Sequence, residues 1–206
     1  MEHVTGKIIA ITGGPRSGKS TLVKMLAEHL EGKAFLEGEE KDFPKRIIDD
    51  IVNEDKPLEL MLWFRNHAVK QYLEAMKIKN NGGTAVLDCF WLTNQPYIDL
   101  WVPDMFEKEL LTEVSKLDIA SFPWPDTVIV LTQDTEGIKE FSKRGERKFE
   151  DNNDYFSKQI AIHERHDNFF KEIKSNYPEV IFFDRSGLDF INSKDDFNKF
   201  LNIFIK

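Results

Sequence analysis

Residues 8–21 of this chain read Ile8-Ile9-Ala10-Ile11-Thr12-Gly13-Gly14-Pro15-Arg16-Ser17-Gly18-Lys19-Ser20-Thr21. The segment Gly13–Ser20 satisfies the pattern G-x-x-x-x-G-K-[ST] at every specified position. The apolar run before it is typical of a buried strand, and the apolar residues after it recur at helical spacing. This strand–loop–helix context is the one that the pattern requires, so the sequence predicts a loop that binds phosphate. We call Gly13–Ser20 the phosphate loop.

The chemistry of the phosphate loop follows from its residue types. Its glycines let successive backbone N–H groups converge on phosphate oxygens, helped by the positive end of the following helix. Lys19 would reach the β- and γ-phosphates of a nucleotide, and the Ser20 hydroxyl would join a Mg²⁺ shell. Pro15 has no N–H, so it must lie where the phosphates need none. The predicted nucleotide-binding residues are Gly13, Gly14, Pro15, Arg16, Ser17, Gly18, Lys19, Ser20 and Thr21.

Alternating strand and helix patterns predict an α/β domain with a parallel sheet and right-handed crossovers. The five predicted strands are Lys7–Thr12, Lys33–Leu36, Thr84–Asp88, Thr127–Leu131 and Val180–Asp184. Three apolar stripes at helical spacing lie between them, and each is expected to pack in the core. They are Leu22, Met25, Leu26 and Leu30; Met61, Ala68, Tyr72 and Met76; and Phe106, Leu110, Val114 and Leu117. Pro103 is predicted to occupy the first turn of the third helix.

Composition excludes several classes of partner. The 206 residues carry 28 basic and 36 acidic side chains, a net charge of −8. This balance argues against binding of polymeric nucleic acid or of a membrane surface, which need a broad positive face. No segment has the length of apolar sequence that crosses a bilayer, and the N-terminus lacks a signal-peptide layout. The single cysteine, Cys89, fits a reducing compartment. We expect one domain over residues 1–206, located in the cytoplasm.

Two acidic residues end predicted strands. Asp88 follows Thr84-Ala85-Val86-Leu87, and a carboxylate at the end of a strand beside a phosphate loop is where Mg²⁺ is held. Glu37 follows the second strand, where it could take a proton from a substrate hydroxyl. A solvated acidic loop, with Glu39 and Glu40, is the alternative for Glu37.

A basic cluster follows the fourth strand at the end of a predicted helix. It consists of Lys139, Lys143, Arg144, Arg147 and Lys148, with Gly145 breaking the helix between the arginines. Arginines on a mobile lid can close over a transferring phosphoryl group and stabilise its charge. The sequence therefore predicts a lid over about residues 142–154; an ordinary charged helix end is the alternative.

These residues together resemble the deoxynucleoside kinase and thymidylate kinase group of P-loop phosphotransferases. The resemblance rests on Gly13–Thr21, Glu37, Asp88 and the pair Arg144 and Arg147. The C-terminal third is similar too, with Tyr155-Phe156 opening a long helix, Leu188-Asp189-Phe190 after the last strand, and a terminal helix such as Lys194–Ile205. The resemblance implies a three-layer fold with a five-stranded parallel sheet and helices on both faces. It also implies transfer of the γ-phosphoryl of ATP, with Mg²⁺, to the 5′-hydroxyl of a small (deoxy)nucleoside, often by a homodimer.

The resemblance assigns roles by position. Glu37 would be the base on the acceptor hydroxyl, Ser20 and Asp88 the magnesium ligands, and Lys19, Arg144 and Arg147 the cations on the phosphates. Asp189 and Phe190 would lie near adenine. The helix carrying Trp63, Phe64, Arg65 and His67 would bind the acceptor.

One departure from the family pattern bears on the acceptor. The family usually has arginine directly after the strand-end acid, whereas this chain has Cys89, which cannot replace a bidentate guanidinium. Either Arg16 or Arg65 takes the place of the missing arginine, or the acceptor differs from the one that the family usually uses. The alternatives are a thymidylate-type nucleoside monophosphate kinase and a P-loop ATP-binding protein with an altered acceptor site.

Two further features were given structural roles. His163-Glu164-Arg165-His166 spaces its histidines by three residues rather than four, which does not suit zinc, so an exposed charged helix is expected. Cys89 is expected to be a small buried hydrophobic residue.

Overall fold

A computed structural model of the protein describes residues 6–38, 43–53, 55–143 and 153–204. The strands are β1 (Lys7–Gly13), β2 (Lys33–Phe35), β3 (Thr84–Asp88), β4 (Thr127–Thr132) and β5 (Val180–Asp184). The helices are α1 (Lys19–His29), α2 (Lys45–Asn53), α3 (Pro57–Asn80), α4 (Gln95–Trp101), α5 (Met105–Ser121), α6 (Thr135–Lys143), α7 (Asn153–Ile173) and α8 (Lys194–Leu201), with a 3₁₀ turn at Asn202–Phe204. All five predicted strands are present, and their ends differ from prediction by one residue at most.

The five strands form one parallel sheet in the order β2-β3-β1-β4-β5, which confirms the predicted fold class. β1 lies at the centre, with Ile11 opposite Asp88 of β3 and Gly13 opposite Leu131 of β4. The chain crosses to one side of β1 for β2 and β3, and to the other side for β4 and β5. Ligands bind outside the carboxyl ends of the strands at such a reversal, which is where the phosphate loop lies.

Helices cover both faces of the sheet, so the apolar run of β1 is buried on each side. Ile9 and Ile11 pack with α1 and α8, whereas Ile8 and Ala10 pack in a cluster with residues of α3 and α7. The first two predicted stripes contribute to these cores, through Leu22 and Leu26 on α1 and Tyr72 on α3. Met61 of α3 is also buried, in a third cluster with residues of α2, α4 and α5. Leu30 lies just past the end of α1 and is partly exposed. Within the described residues, no helix has the length and hydropathy needed to cross a membrane.

The third stripe does not pack in the core of this chain, so that prediction was wrong. Phe106, Leu110 and Leu117 are 73%, 52% and 65% exposed on α5, while Leu111 and Asp118 are buried on its other side. The periodicity correctly marks an apolar side of the helix but does not say what covers it. The predicted position of Pro103 was also wrong, because Asp104 caps the helix by accepting hydrogen bonds from the N–H groups of Phe106 and Glu107.

An ion pair holds α5 against α3. Arg65 Nε donates to Asp118 Oδ2 at 2.8 Å, and Arg65 Nη2 donates to the other carboxylate oxygen. The Asp118 side chain is only 4% exposed, and its carboxylate raises the pKa of Arg65 by hydrogen bonding, against the lowering effect of burial. A two-pronged pair with one buried member fixes the relative positions of the helices.

Removing the cation of this pair is expected to be costly. Arg65→Met leaves the Asp118 carboxylate buried without its partner, and we expect the free energy of unfolding in urea to fall by roughly 2–4 kcal/mol. Lys116→Met is the matched control, since it removes the exposed pair with Glu113 on the same helix, and should cost less than about 0.5 kcal/mol. Equal losses in the two variants would contradict the structural role given to Arg65.

Candidate functional site

The phosphate loop has a strained backbone that curls between β1 and α1. Arg16 adopts φ 58° and Gly18 adopts φ 83°, both in the left-handed region. Glycine tolerates this conformation, whereas a non-glycine residue there is held by its surroundings. The side chain of Lys19, the first residue of α1, folds back over the loop and donates from Nζ to Gly14 O at 2.9 Å.

The predicted magnesium ligands meet at the edge of this loop. Ser20 Oγ donates a hydrogen bond to the carboxylate of Asp88, the last residue of β3. Asp88 is buried rather than solvated. A hydroxyl and a carboxylate side by side are hard oxygen donors, which suit Mg²⁺ when phosphate oxygens complete its shell. The residues present therefore fit this cation.

Cys89 is buried, as predicted, in a special backbone conformation. It has φ 73°, its N–H donates to Ile11 O at 3.0 Å, and its thiol lies 3.6 Å from Asp88 Oδ1. Burial raises the pKa of the thiol well above its usual value, and the nearby charges of Glu37 and Asp88 raise it further. The charge of Glu37 thus acts on the Cys89 thiol. A role for Glu37 as the base stays a prediction.

Side chains of α3 hold the backbone at the end of β2. Gln71 Nε2 donates to Leu36 O at 2.5 Å and lies 3.1 Å from His67 Nε2. His67 also hydrogen-bonds to the backbone of Glu37, and its pKa is lowered mainly by burial. These contacts fix the segment that carries Glu37.

Aromatic rings beside this segment form what we call the aromatic wall: Phe43, Trp63, Phe64 and His67. Trp63 stacks on His67 with ring centroids 5.5 Å apart, and Phe43 packs edge-on against Trp63 and Phe64. All four side chains are partly exposed. The sequence predicted all of them except Phe43, which no spacing signal singles out. Arg65 does not join them, because its guanidinium is paired with Asp118. Its role in binding the acceptor stays a prediction.

The predicted adenine contacts after β5 have structural roles. Phe190 is buried against Phe183 and Phe200, which contradicts a role for its ring in binding a nucleotide. The Asp189 carboxylate accepts hydrogen bonds from the N–H groups of Ile191 and Asn192 and so closes its own turn. A role for Asp189 near adenine stays a prediction.

The predicted lid falls largely outside the described residues. α6 ends at Lys143 and α7 begins at Asn153, so Arg144 and Arg147 lie between the described segments. Their roles stay predictions.

Two histidines of α7 are buried, one against the phosphate loop and one against β1, whereas the sequence predicted an exposed charged helix. His163 and His166 are both buried; His163 Nε2 lies 2.9 Å from Pro15 O and His166 Nε2 lies 2.8 Å from Thr12 Oγ1. A Cβ at Gly14 would overlap the His163 ring, so glycine is required there. The missed signal was that His166 shares an apolar stripe with Ile162 and Phe170, at four-residue spacing.

Arg185, directly after β5, is a buried residue that the sequence analysis missed. Its Nη1 donates to Ser17 O at 2.6 Å and its Nη2 to Leu188 O at 2.9 Å. The guanidinium carbon lies 3.7 Å from the centroid of the Phe141 ring and 5.3 Å from that of Phe190. Nothing in the local sequence distinguishes it from an arginine exposed at a strand end.

A separate polar cavity of about 370 Å³ opens between α7 and the ends of β4 and β5. Among the described residues, none that the sequence predicted for the site lines this cavity.

The central phosphate loop and the β2-β3-β1-β4-β5 sheet define a P-loop α/β protein. Comparison with solved structures shows which P-loop proteins share its fold. A deoxyadenosine kinase from M. mycoides with bound dATP matches with a TM-score of 0.76 at 18% identity, over 97% of this chain and 100% of that one. A thymidylate kinase from Candida albicans matches with a TM-score of 0.66 at 22% identity, over 98% and 91% of the two chains. The chain thus has the fold of deoxynucleoside and thymidylate kinases, as the resemblance implied.

These likenesses are in fold rather than in sequence. No protein-family model matches the chain, and no curated protein matches its sequence.

The stability of the protein should depend on the protonation of His163. Burial, Lys19 and His166 lower its pKa from 6.5 to about 4, against the raising effects of the Pro15 carbonyl and Asp167. The folded state therefore binds fewer protons than the unfolded chain, and stability is lost as the pH falls from about 6.5 towards 4. Between pH 7.5 and pH 5, we expect the free energy of unfolding to fall by about 2 kcal/mol more in the wild-type protein than in His163→Gln.

The exposed His29 provides the matched control for this measurement. His29→Gln retains His163, so we expect it to keep the fall in unfolding free energy that His163 produces. A wild-type slope in His163→Gln would show that His163 titrates normally in the folded protein.

Proposed function

We propose that the protein is a Mg²⁺-dependent phosphotransferase that moves the γ-phosphoryl of ATP to the 5′-hydroxyl of a (deoxy)nucleoside. The observation that supports this proposal most is the convergence of four groups at one edge of the sheet. Lys19 and Ser20 come from the phosphate loop, Asp88 from the end of β3, and Glu37 from the segment after β2. A cation, two metal ligands and a base are the groups that phosphoryl transfer needs.

Each group has a distinct part in this proposal. Lys19 and the amides of the loop bind the phosphates, and Ser20 with Asp88 would hold Mg²⁺. The cation, when bound, neutralises charge on the phosphate oxygens. Glu37 would accept the proton of the acceptor hydroxyl, and Arg144 and Arg147 would close over the phosphates from a lid at about residues 142–154.

The aromatic wall supports a nucleoside as the acceptor. Its rings lie beside the segment that carries Glu37, so a base stacked on them would have its sugar near that carboxylate. A thymidylate-type kinase needs an extra cation for the phosphate of its acceptor, and Arg65, one of the two expected substitutes, is paired with Asp118. The other substitute, Arg16, belongs to the loop that the proposal assigns to the phosphates of ATP, so we favour a non-phosphorylated acceptor over a nucleoside monophosphate.

The acceptor is tested by measuring ADP release from ATP and Mg²⁺ with a panel of nucleosides and their monophosphates. We expect turnover with at least one deoxynucleoside and a lower kcat/KM with its monophosphate. A preference for monophosphates would favour the thymidylate-type alternative. ATP binding without any acceptor-dependent turnover would favour the alternative of a P-loop binding protein, and this outcome would refute the proposed activity.

Asp88→Asn should lower kcat by about 100-fold or more, because the neutral amide is a much weaker magnesium ligand. Lys19→Ala should abolish turnover. Asp184→Asn is the matched control, since Asp184 also ends a strand of the sheet but is exposed and lies outside the crevice. Full activity in Asp88→Asn would show that the metal site lies elsewhere.

We also propose that the protein acts in the cytoplasm as a homodimer, with the exposed apolar side of α5 at the interface. Apolar side chains as exposed as Phe106, Leu110 and Leu117 commonly mark an interaction surface. Sedimentation velocity should show a dimer that Leu110→Glu dissociates and Glu109→Gln, the exposed neighbour, leaves intact. A monomeric wild-type protein would contradict this part of the proposal.

A further inference from the structure

The hydrogen bond from α7 to the phosphate loop fixes the tautomer of His163. Pro15 O can only accept a hydrogen bond, so Nε2 of the neutral ring must carry the proton and donate it over 2.9 Å. Nδ1 is then unprotonated, and it is buried with no hydrogen-bond partner among the residues that the structure describes. The ring is thus oriented towards a single group, the carbonyl of Pro15.

Holding this carbonyl also orients the next amide of the loop. A trans peptide is planar, so the Arg16 N–H points opposite to Pro15 C=O and therefore away from His163. Pro15 itself has no N–H to offer. Arg16 adopts φ 58°, a conformation that costs a non-glycine residue on the order of 1–3 kcal/mol unless its surroundings support it.

Arg185 makes the equivalent contact two peptides further on. Its Nη1 donates to Ser17 O at 2.6 Å, so the Gly18 N–H points away from Arg185 by the same planarity. Gly18 also has a positive φ, and a Cβ at this position would overlap the Arg185 guanidinium. Two buried side chains from distant parts of the chain therefore hold alternate carbonyls of one loop.

We propose that His163 and Arg185 are positioning residues that brace the phosphate loop from outside. By holding the carbonyls of Pro15 and Ser17, they turn the Arg16 and Gly18 amides towards the phosphates before the nucleotide arrives. This brace deepens the proposed function, because it rests on the loop binding nucleotide phosphates. Successive amides in left-handed geometry form a concave anion site, and the brace keeps that geometry in place.

The His163 contact is tested with two substitutions of similar length. Gln places its Nε2 as many bonds from Cβ as the histidine Nε2, so His163→Gln can still donate to Pro15 O. His163→Met fills the space without a donor. We expect the Kd for ATP, and for inorganic tripolyphosphate as a probe of the loop alone, to rise about tenfold in His163→Met. His163→Gln should restore binding to within about threefold.

Tyr72→Phe is the matched control for general destabilisation. It also removes one buried donor to a proline carbonyl, that of Pro123 at 2.5 Å, at the opposite end of the sheet. Its Kd for ATP should equal the wild-type value. An equal rise in Kd for Tyr72→Phe and His163→Met, at similar losses of thermal stability, would reduce His163 to a packing residue and overturn the proposal.

A double-mutant cycle with Arg16→Gly tests the backbone argument. Glycine adopts a positive φ without strain, so the loop should need less support in that background. We expect His163→Met to raise the Kd for tripolyphosphate by no more than about twofold when residue 16 is glycine. Each arm of the cycle compares two proteins with the same residue at position 16, so the contribution of the Arg16 side chain to binding cancels within each arm. The same tenfold effect in both backgrounds would contradict the proposed mechanism.

Arg185→Lys distinguishes the effect of the two hydrogen bonds made by Arg185 from the effect of its positive charge. It keeps the positive charge but cannot donate to Ser17 O and Leu188 O in the same fork. We expect the Kd for ATP to rise at least fivefold. Wild-type affinity in Arg185→Lys would mean that only the charge matters and would remove Arg185 from the brace.

These binding measurements can fail independently of the proposed activity. A wild-type protein that binds ATP with the expected variant pattern, but turns over no acceptor, would refute the kinase function and leave the brace intact. A wild-type protein that binds neither ATP nor tripolyphosphate would overturn both.

Discussion

The parallel pairing of β1 with β3 on one side and β4 on the other is the constraint on which the site depends. Because Ile11 lies opposite Asp88, the strand-end carboxylate is delivered to the level of the phosphate loop, where Ser20 contacts it. A shift of one residue in this register would turn the carboxylate to the opposite face of the sheet. The buried apolar faces of β1 prevent such a shift, since each is packed under its own helical layer. The packing that fixes the register of the strands therefore also fixes the position of the Asp88 carboxylate at the phosphate loop.

The parts of the fold that sequence could predict are those encoded locally. The five strands and the phosphate loop are marked by β-branched runs and by glycines at fixed offsets. Asp88 could be placed because it follows its strand directly. Trp63 and His67 were assigned to the acceptor through the family resemblance alone. The Arg65–Asp118 pair could not be foreseen, since it joins residues 53 positions apart. Arg65 lies among the residues predicted to bind the acceptor and differs from them only in the side of α3 that it occupies.

The errors share one physical origin. Periodicity shows which side of a helix is apolar, but it does not show what that side packs against. The apolar stripe on α5 was assigned to the core, yet Leu110 faces outward; the histidines of α7 were assigned to solvent, yet both are buried. A histidine that donates to a backbone carbonyl is satisfied in the interior without a charge, so its sequence neighbours Glu164 and Arg165 say little about it. Arg185 is a similar case, since a guanidinium between aromatic rings and carbonyl oxygens can be buried with its charge.

The length of α7 gives its histidine contacts a mechanical consequence. His163 lies ten residues from Asn153, where the helix begins, so the N-terminal part of α7 is an arm about 15 Å long at the usual rise per residue. The contacts of His163 and His166 with β1 and the phosphate loop act as its pivot. A tilt of about 10° at this pivot would carry the start of the helix through about 2.5 Å, as its rigid geometry requires. Any tilt of α7 about these contacts would therefore displace Asn153 more than it displaces His163, in proportion to the distance along the helix.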